Sequence, residues 1–424
     1  MSNKKKRILW LTGIIIPQAS ELINGPKIPF GGWVSQMIDK LSKSEELTIG
    51  IAMKSPTNEL MIKEKDGVTF YFVPQNKRNK FDVNNDDCLK VFEHFKPDLV
   101  HAEGCELKYT NTFLKKWNGE NVVSMQGILN GYEPYEYGGL NIYNYLFSLN
   151  LKNSFFAALT IINKKFVFNK RLIVERDTLQ KAKNILGRTT WDKANSYFYN
   201  SEAPYYHCAR ILRPSFYNIK QKDAEVIKHS VFIGNSAQAR KGAHFVLESI
   251  ALLKKEFPDI KLYITGHKYE KNRKDWKSFF GYRSLFQKMI MQLDLENNIV
   301  FLGVLQEKEM ALKMAKMHVY VMSSIIENSP NTLGEAMIMG VPSITSFNGG
   351  VADMATDGIE ALHYRDNDPR MLAFQIKRIF DSKELAEKLS KNAMKKANTT
   401  HDPERNLNDL VNCYKSILSK NISI

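Results

Sequence analysis

Short apolar runs alternate along the chain with longer stretches in which apolar and polar residues recur at helical spacing. Arg7–Thr12, Thr48–Met53, Thr69–Val73, Asp98–His101 and Val122–Met125 read as a first series of strands. Ser230–Ile233, Lys261–Thr265, Ile299–Leu302, His318–Met322 and Ser343–Thr345 read as a second. Helical stretches such as Ala243–Glu256 and Glu307–Lys316 lie between them. Apolar strands that alternate with helices belong to parallel sheets covered on both faces. The expected fold is α/β, with two Rossmann-like domains facing across a cleft. The polar, proline-bearing stretch Arg213–Lys228 separates the series and reads as a linker. Residues 1–215 then form an N-terminal domain and residues 216–403 a C-terminal one.

Composition narrows the class. A chain of 424 residues suits two domains, and a hydrophobic share of 43% argues against disorder. Cys88, Cys105, Cys208 and Cys413 have no CxxC spacing and read as reduced thiols, so nothing calls for an oxidising compartment. The apolar run Ile8–Leu11 behind the basic start is too short for a signal-peptide core. No stretch of ~20 apolar residues is present to span a bilayer. The expected location is the cytoplasm.

The formal net charge of +15 attracts anions, whether nucleic acid, anionic lipid or a phosphorylated ligand. A basic nucleic-acid-binding protein is one alternative. It calls for a helix-turn-helix, a zinc site or an aromatic RNP pattern, and the sequence has none. A nicotinamide oxidoreductase calls for GxGxxG directly after the first strand; here a long loop ending Phe30-Gly31-Gly32 stands there. Tyr145–Leu172 interleaves Phe155, Phe156, Phe166 and Phe168 with Lys164, Lys165, Lys170 and Arg171. Two readings fit it: a core helix pair, or a face lying on an anionic membrane.

The most informative segment is Ser324–Pro342. Ser329 suits an N-cap, Pro330 a first helical position, and Gly340 a C-terminal stop, which predicts a helix from about Pro330 to Met339. Leu333, Ala336, Met337 and Gly340 make its buried face, with Asn331 and Glu335 roughly opposite. The free N–H groups of Asn331, Thr332 and Leu333 suit phosphate oxygens. Glu327 lies in the loop just before, and Glu335 offers two acceptors at the bite of vicinal ribose hydroxyls. From spacing alone, two solvated glutamates on a surface helix fit equally well.

The order of motifs settles more. Glu327-x7-Glu335, then Ala-Met-x-x-Gly-x-Pro, then Gly349-Gly350-x-x-Asp353 resembles glycosyltransferase family 4, the retaining GT-B enzymes. Phe301-Leu302-Gly303, Gly266, Lys241-Gly242, Gly31-Gly32 and Lys96–His101 extend the resemblance over nearly the whole chain.

The resemblance implies a nucleotide-diphospho-sugar donor on the C-terminal domain. Glu335 would take the ribose and Glu327 the donor sugar. Lys241 would neutralise the diphosphate, with Arg240 beside it. Asn331, Thr332 and Leu333 would offer their N–H groups. Gly349 and Gly350 would form a tight loop close to the donor, where no side chain fits. Gly31 and Gly32 would close over the diphosphate from the N-terminal domain. Asn235 stands where many relatives have arginine, and Gln126 where many have histidine; neither can carry the charge that those residues carry. His101, Glu103 and Arg188 are acceptor-side candidates, the last in Gly187–Asp192, which resembles a signature of bacterial surface-polysaccharide members. In this fold the amphipathic stretch Glu404–Leu418, within residues 404–424, would cross back toward the first domain.

The implied activity is retaining transfer of a hexose-type sugar to a saccharide or lipid-linked saccharide in polysaccharide or lipopolysaccharide assembly. Glu327, Lys241, Arg240 and Gln126 are the catalytic candidates, with no metal or other cofactor expected. Asp366-Asn367-Asp368 reads as a DxD metal motif but also as a cap for the helix after it. The nearest alternative is a nucleotide-sugar epimerase of the same fold.

Overall fold

A computed structural model describes residues 5–25, 32–77, 79–140, 151–234, 236–266 and 282–419, except the side chains of 151–161, 163 and 164. It divides into two compact units. The first holds residues 1–131, 168–212 and 401–424; the second holds 132–167 and 213–400.

In the first unit the described strands are β1 (Lys6–Thr12), β2 (Leu47–Ser55), β3 (Met61–Lys65), β4 (Val68–Pro74), β5 (Leu99–Glu103), β6 (Glu120–Ser124), β7 (Ile185–Gly187) and β8 (Tyr205–His207). Their order is β3-β4-β2-β1-β5-β6-β7-β8, parallel except for the β3–β4 pair. Alternate side chains on a strand point to opposite faces, so a central strand must be apolar throughout. On β1, Ile8 and Trp10 enter one buried layer while Leu9 and Leu11 enter the other. The first layer is completed by the last helix, Pro403–Ser419, through Leu410, Cys413, Tyr414 and Ile417.

In the second unit the described strands are β9 (Ile227–Ile233), β10 (Lys261–Thr265), β11 (Ile299–Gly303), β12 (Met317–Met322), β13 (Ser343–Ser346) and β14 (Leu362–Tyr364). They are all parallel, in the order β11-β10-β9-β12-β13-β14. Val231, Leu262 and Ile264 pack with Val246, Leu247 and Ile250 of the helix Ala243–Leu253 and with Leu372, Ile376 and Ile379 of Pro369–Asp381.

Each sheet grows outward in both directions from its first strand. The order reverses between β1 and β5 in one unit and between β9 and β12 in the other. In open α/β sheets ligands bind beyond the carboxyl ends of the strands at such reversals.

The structure departs from the sequence reading in three places. The stretch after Arg213 is packed rather than a free linker: it forms the helix Pro214–Asn218, Phe216 is fully buried, and Lys220 donates to the carbonyl of Ile338 at 2.7 Å. The division falls at 212/213 and 400/401, and residues 132–167 group with the second unit. From Leu151 onward the chain forms one helix, Leu151–Lys181, and not a core pair: Ile162, Phe166 and Ile173 are exposed. Residues 145–150 of that stretch lie outside the described residues. All four cysteines are free and buried.

Candidate active site

The second unit gathers two loops at the carboxyl ends of β9 and β12. The first ends in the turn Ala239–Lys241 and Gly242; the second is Ser323–Pro330. They are pinned together: Ile325 N–H donates to the Arg240 carbonyl at 2.8 Å, and the Ser323 hydroxyl donates to the Lys241 carbonyl at 2.8 Å. Gly242 makes this approach possible. Its φ is +66°, and a Cβ there would lie 1.9 Å from the Ser323 carbonyl oxygen.

The pinning brings Lys241 Nζ onto Glu327 Oε1 as a hydrogen-bonded ion pair. The Glu327 side chain is 12% exposed and that of Lys241 28%, so both are within reach of a ligand. Burial pushes the Glu327 carboxyl up, but Lys241 and then Arg240 outweigh it and hold it below the ordinary value. The Glu327 backbone N–H donates to Asn348 Oδ1 at 2.9 Å, and Asn348 Nδ2 donates to the Ser324 carbonyl at 2.7 Å. Gly350 N–H closes the turn onto the Glu327 carbonyl at 3.0 Å. Gly349 has φ +47°, and a Cβ there would lie 2.1 Å from that carbonyl oxygen. The expected close approach at Gly349 is therefore to Glu327's own backbone.

Arg240 takes a direction that its sequence position left open. Its guanidinium lies 3.7 Å from the Glu136 carboxylate and 5.1 Å over the Tyr132 ring. The Tyr132 hydroxyl in turn accepts from Asn328 N–H at 3.2 Å. Tyr132 and Glu136 were missed by sequence reasoning because they precede the second series of strands by about ninety residues and carry no motif.

The helix behind these loops runs Asn331–Met339, with Pro330 at its N-cap and no side-chain cap bond, so Ser329 does not cap it. Leu333 N–H bonds back to the Pro330 carbonyl at 3.0 Å. Asn331 and Thr332 remain the candidate donors of the first turn.

Glu335 corrects a stronger expectation. It does not lie on an open face: only 2% of it is exposed. Arg213 holds it as a fork, Nε to Oε1 at 2.7 Å and Nη2 to Oε2 at 2.8 Å. Burial works against the Arg213 charge, and Glu335 more than compensates, so the guanidinium sits above its ordinary value. A helix apolar on every side is buried, and a carboxylate on it needs a cation. The run Ala336–Met339 carried that signal.

The first unit holds a separate cluster beside the β1/β5 reversal. His101 and Glu103 lie on β5, and both are buried. Glu103 Oε1 accepts from Arg210 Nη2 at 2.5 Å, Gln126 Nε2 at 3.0 Å and Trp33 Nε1 at 3.4 Å. Burial raises the Glu103 carboxyl, but Arg210 and its other neighbours hold it below the ordinary value. His101 Nδ1 is 2.6 Å from the Tyr414 hydroxyl, and burial pushes the imidazole down to about 4, so it is neutral near pH 7. Arg188 follows β7 in the loop before the helix Thr190–Tyr197, whose N-terminus closes as a Thr189–Asp192 capping box. Its guanidinium does not pair with Asp192, which takes the Arg188 backbone N–H at 2.9 Å instead. It donates to the carbonyls of Met125 and Gln126. Arg210 and Trp33 had no sequence signal; they qualify only through Glu103.

The structure thus brings Lys241, Arg240, Glu327, Gly349 and Gly350 together in the second unit, with Glu335 turned to Arg213. It brings His101, Glu103, Gln126 and Arg188 together in the first. Gly32 starts the helix Gly32–Leu41. Gly31 and Asn235 lie outside the described residues. Asp368 caps its helix by accepting from Met371 N–H at 3.0 Å.

Comparison with known proteins bears on both units. Residues 220–396 match the family described as Glycosyl transferases group 1. An uncharacterized glycosyltransferase of Methanocaldococcus jannaschii is 30% identical over 107 residues, which span 25% of this chain and 23% of that relative. Sucrose-phosphate synthase from Thermosynechococcus elongatus superposes with a TM-score of 0.73 at 14% identity, over 98% of this chain and 100% of that one. The Anabaena protein HepE, solved in complex with UDP-glucose, gives 0.66 at 13% identity over 97% and 99%. The chain therefore has the GT-B glycosyltransferase fold, and its residues 220–396 match the glycosyl transferases group 1 family.

Proposed function

We propose that this protein is a retaining glycosyltransferase of family 4. It moves a hexose-type sugar from a nucleotide-diphospho-sugar to a saccharide or lipid-linked saccharide acceptor in cell-surface polysaccharide synthesis. The observation that carries this reading is the Lys241–Glu327 pair at the β9/β12 reversal, inside the matched domain. A diphosphate is a natural second partner for Lys241, and Glu327, released toward the sugar, accepts from its hydroxyls. The first-turn N–H groups of Asn331 and Thr332 add partial positive charge. Glu335, buried with both carboxylate oxygens on Arg213, anchors the helix Asn331–Met339 from behind. The structure of HepE with UDP-glucose supports a nucleotide-sugar donor on this fold.

In the proposed reaction the acceptor hydroxyl attacks the anomeric carbon on the face that the diphosphate leaves. The bond from that carbon to the phosphate oxygen breaks as the new glycosidic bond forms, and the acceptor proton passes to the departing phosphate oxygen. The protein orients the two substrates and stabilises the developing diphosphate charge through Lys241, with Arg240 held by Glu136 as the second cation. No metal is needed to supply that charge.

The acceptor belongs to the first unit, at His101, Glu103 and Arg188. We place the protein in the cytoplasm, with a peripheral contact to anionic membrane. Supporting that contact, the helix Leu151–Lys181 exposes Ile162 and Phe166 beside Lys165, Lys170 and Arg171. No helix among the described residues is long and apolar enough to cross a membrane.

The test is incubation with UDP-, GDP- and ADP-hexoses and saccharide acceptors, read by nucleotide diphosphate release and by NMR of the anomeric proton. Product that keeps the donor's configuration supports the reading. Release of free sugar that is epimerised, without any acceptor, replaces it with the epimerase. Inverted product removes the retaining assignment.

A further inference from the structure

The first unit contains an open recess between the carboxyl end of β5 and the segment behind β8, bordered by Trp33, His101, Glu103, Ser124, Arg188 and Arg210. Its charges do not balance. Glu103 is spent on Arg210, at 2.5 Å. Arg188 contacts only neutral carbonyls and has no carboxylate within ion-pair distance among the described residues. Among the residues that border the recess, two guanidinium groups stand against one carboxylate, and His101 adds no charge.

A second observation points into the same space. His101 is 1% exposed, yet its Nε2 has no hydrogen-bond partner among the described residues. Glu103 Oε2 is the nearest carboxylate oxygen, at 3.7 Å, beyond hydrogen-bond length. With the Tyr414 hydroxyl donating to Nδ1, the proton of the neutral ring sits on Nε2, an unspent donor on a residue that borders the recess. A buried polar atom without a partner costs free energy that a ligand recovers. The wall on the Trp33 side is flat and aromatic, its ring covered by Arg210 at 4.6 Å.

We propose that this recess binds a carboxylate-bearing sugar, a uronate unit of the acceptor, with the carboxylate on Arg188 and ring hydroxyls on His101 Nε2 and Glu103 Oε2. This rests on the acceptor reading above and names its chemical class. A monoanion matches the one guanidinium in excess among the bordering residues. A phosphate dianion overshoots it and brings a second negative charge against Glu103. A neutral sugar leaves Arg188 unpaired. Arg188 is then a specificity-determining residue, and the sequence marked it only by its place in Gly187–Asp192.

The experiment is ligand-observed NMR on the full chain with methyl α-glucuronide, methyl α-glucoside and glucose 6-phosphate as probes. The uronide is expected to bind at least about tenfold more tightly than the glucoside, as a charge-assisted contact gives. Arg188→Gln, which keeps donors for the Met125 and Gln126 carbonyls, is expected to erase that preference, and Arg188→Lys to keep part of it. Equal affinity for uronide and glucoside, no binding of either, or preference for the phosphate overturns the proposal. UDP-hexose binding is measured on the same samples. If it persists while the uronide preference is missing, only the recess assignment falls. If it is absent while the preference holds, the transferase reading falls and the recess stands as a uronate site.

Discussion

Lys241 and Glu327, 86 residues apart in sequence, meet as an ion pair between the loops that follow two adjacent parallel strands, β9 and β12. Those strands flank the reversal of the second sheet, so the pair sits where an open α/β sheet offers its ligand crevice. Neither side chain is fully enclosed.

Replacing Lys241 tests its role in chemistry against its role in folding. Arg240 still acts on the Glu327 carboxyl when Lys241 is removed, so the carboxylate is not left without a cation. Lys241→Ala is expected to lower kcat by about 10²-fold or more, the loss seen when a group that stabilises developing charge is removed. Its melting temperature should stay within a few degrees of wild type. Retained activity would exclude Lys241 as the diphosphate cation.

Gly349→Ala should damage both stability and activity. The left-handed backbone costs a non-glycine residue about 1 kcal/mol or more, and the methyl group collides with the Glu327 carbonyl. Gly234→Ala is the control, since no atom of the described residues beyond its chain neighbours lies within 4 Å of a Cβ there and it is not among the glycines of positive φ. A Gly349→Ala protein that melts and turns over like wild type would show that the Glu327 turn tolerates a shift.

Arg213→Ala leaves Glu335 buried without a cation. The expected loss is about 3–5 kcal/mol, the usual cost of breaking a buried pair from one side. The double change Arg213→Met with Glu335→Gln should recover much of it, because no lone charge then remains. Chemical denaturation of the two variants decides the matter.

The buried histidines set an acid limit. Burial pushes His244 down to about 4, even though the Gly138 carbonyl at 3.0 Å favours its protonated form. The ordinary value of an unfolded histidine is about 6.5. Between those values the unfolded chain takes up a proton that the folded chain refuses. The stability contributed by the neutral ring is thus fully present above pH about 6.5 and lost as pH falls toward 4. The slope is at most about 1.4 kcal/mol per pH unit for one such group. Glu106, pushed up to about 7 by burial, works in the opposite direction. His244→Gln should flatten the acid limb of the stability profile relative to wild type, and an unchanged limb would show that His244 is not excluded from protonation.

Much of the architecture was legible because central strands must be apolar on both faces. The ten strands read from the sequence are all present, with ends shifted by a few residues. Those missed were β3, with the polar sequence Met-Ile-Lys-Glu-Lys, and the three-residue strands β7, β8 and β14. None is long enough, or apolar enough, to stand out from a loop. The loops that carry Lys241 and Glu327 were legible as motifs, but their partners were not. Tyr132, Glu136 and Arg213 act through positions that only the folded chain brings near Asn328, Arg240 and Glu335. The spacing of Glu335 marked it, yet the apolar run behind it was the better guide to its burial.

The most direct test of the central claim is thermal stabilisation by UDP-, GDP- and ADP-sugars, comparing the wild-type chain with Lys241→Ala. A ligand that binds only the folded state at about 100 times its Kd adds about 2.7 kcal/mol of stability. The account predicts that one nucleotide raises the wild-type Tm by several degrees and that the shift shrinks sharply in Lys241→Ala. No shift with any nucleotide-sugar, or an equal shift in the variant, would contradict a donor site built on Lys241 and Glu327.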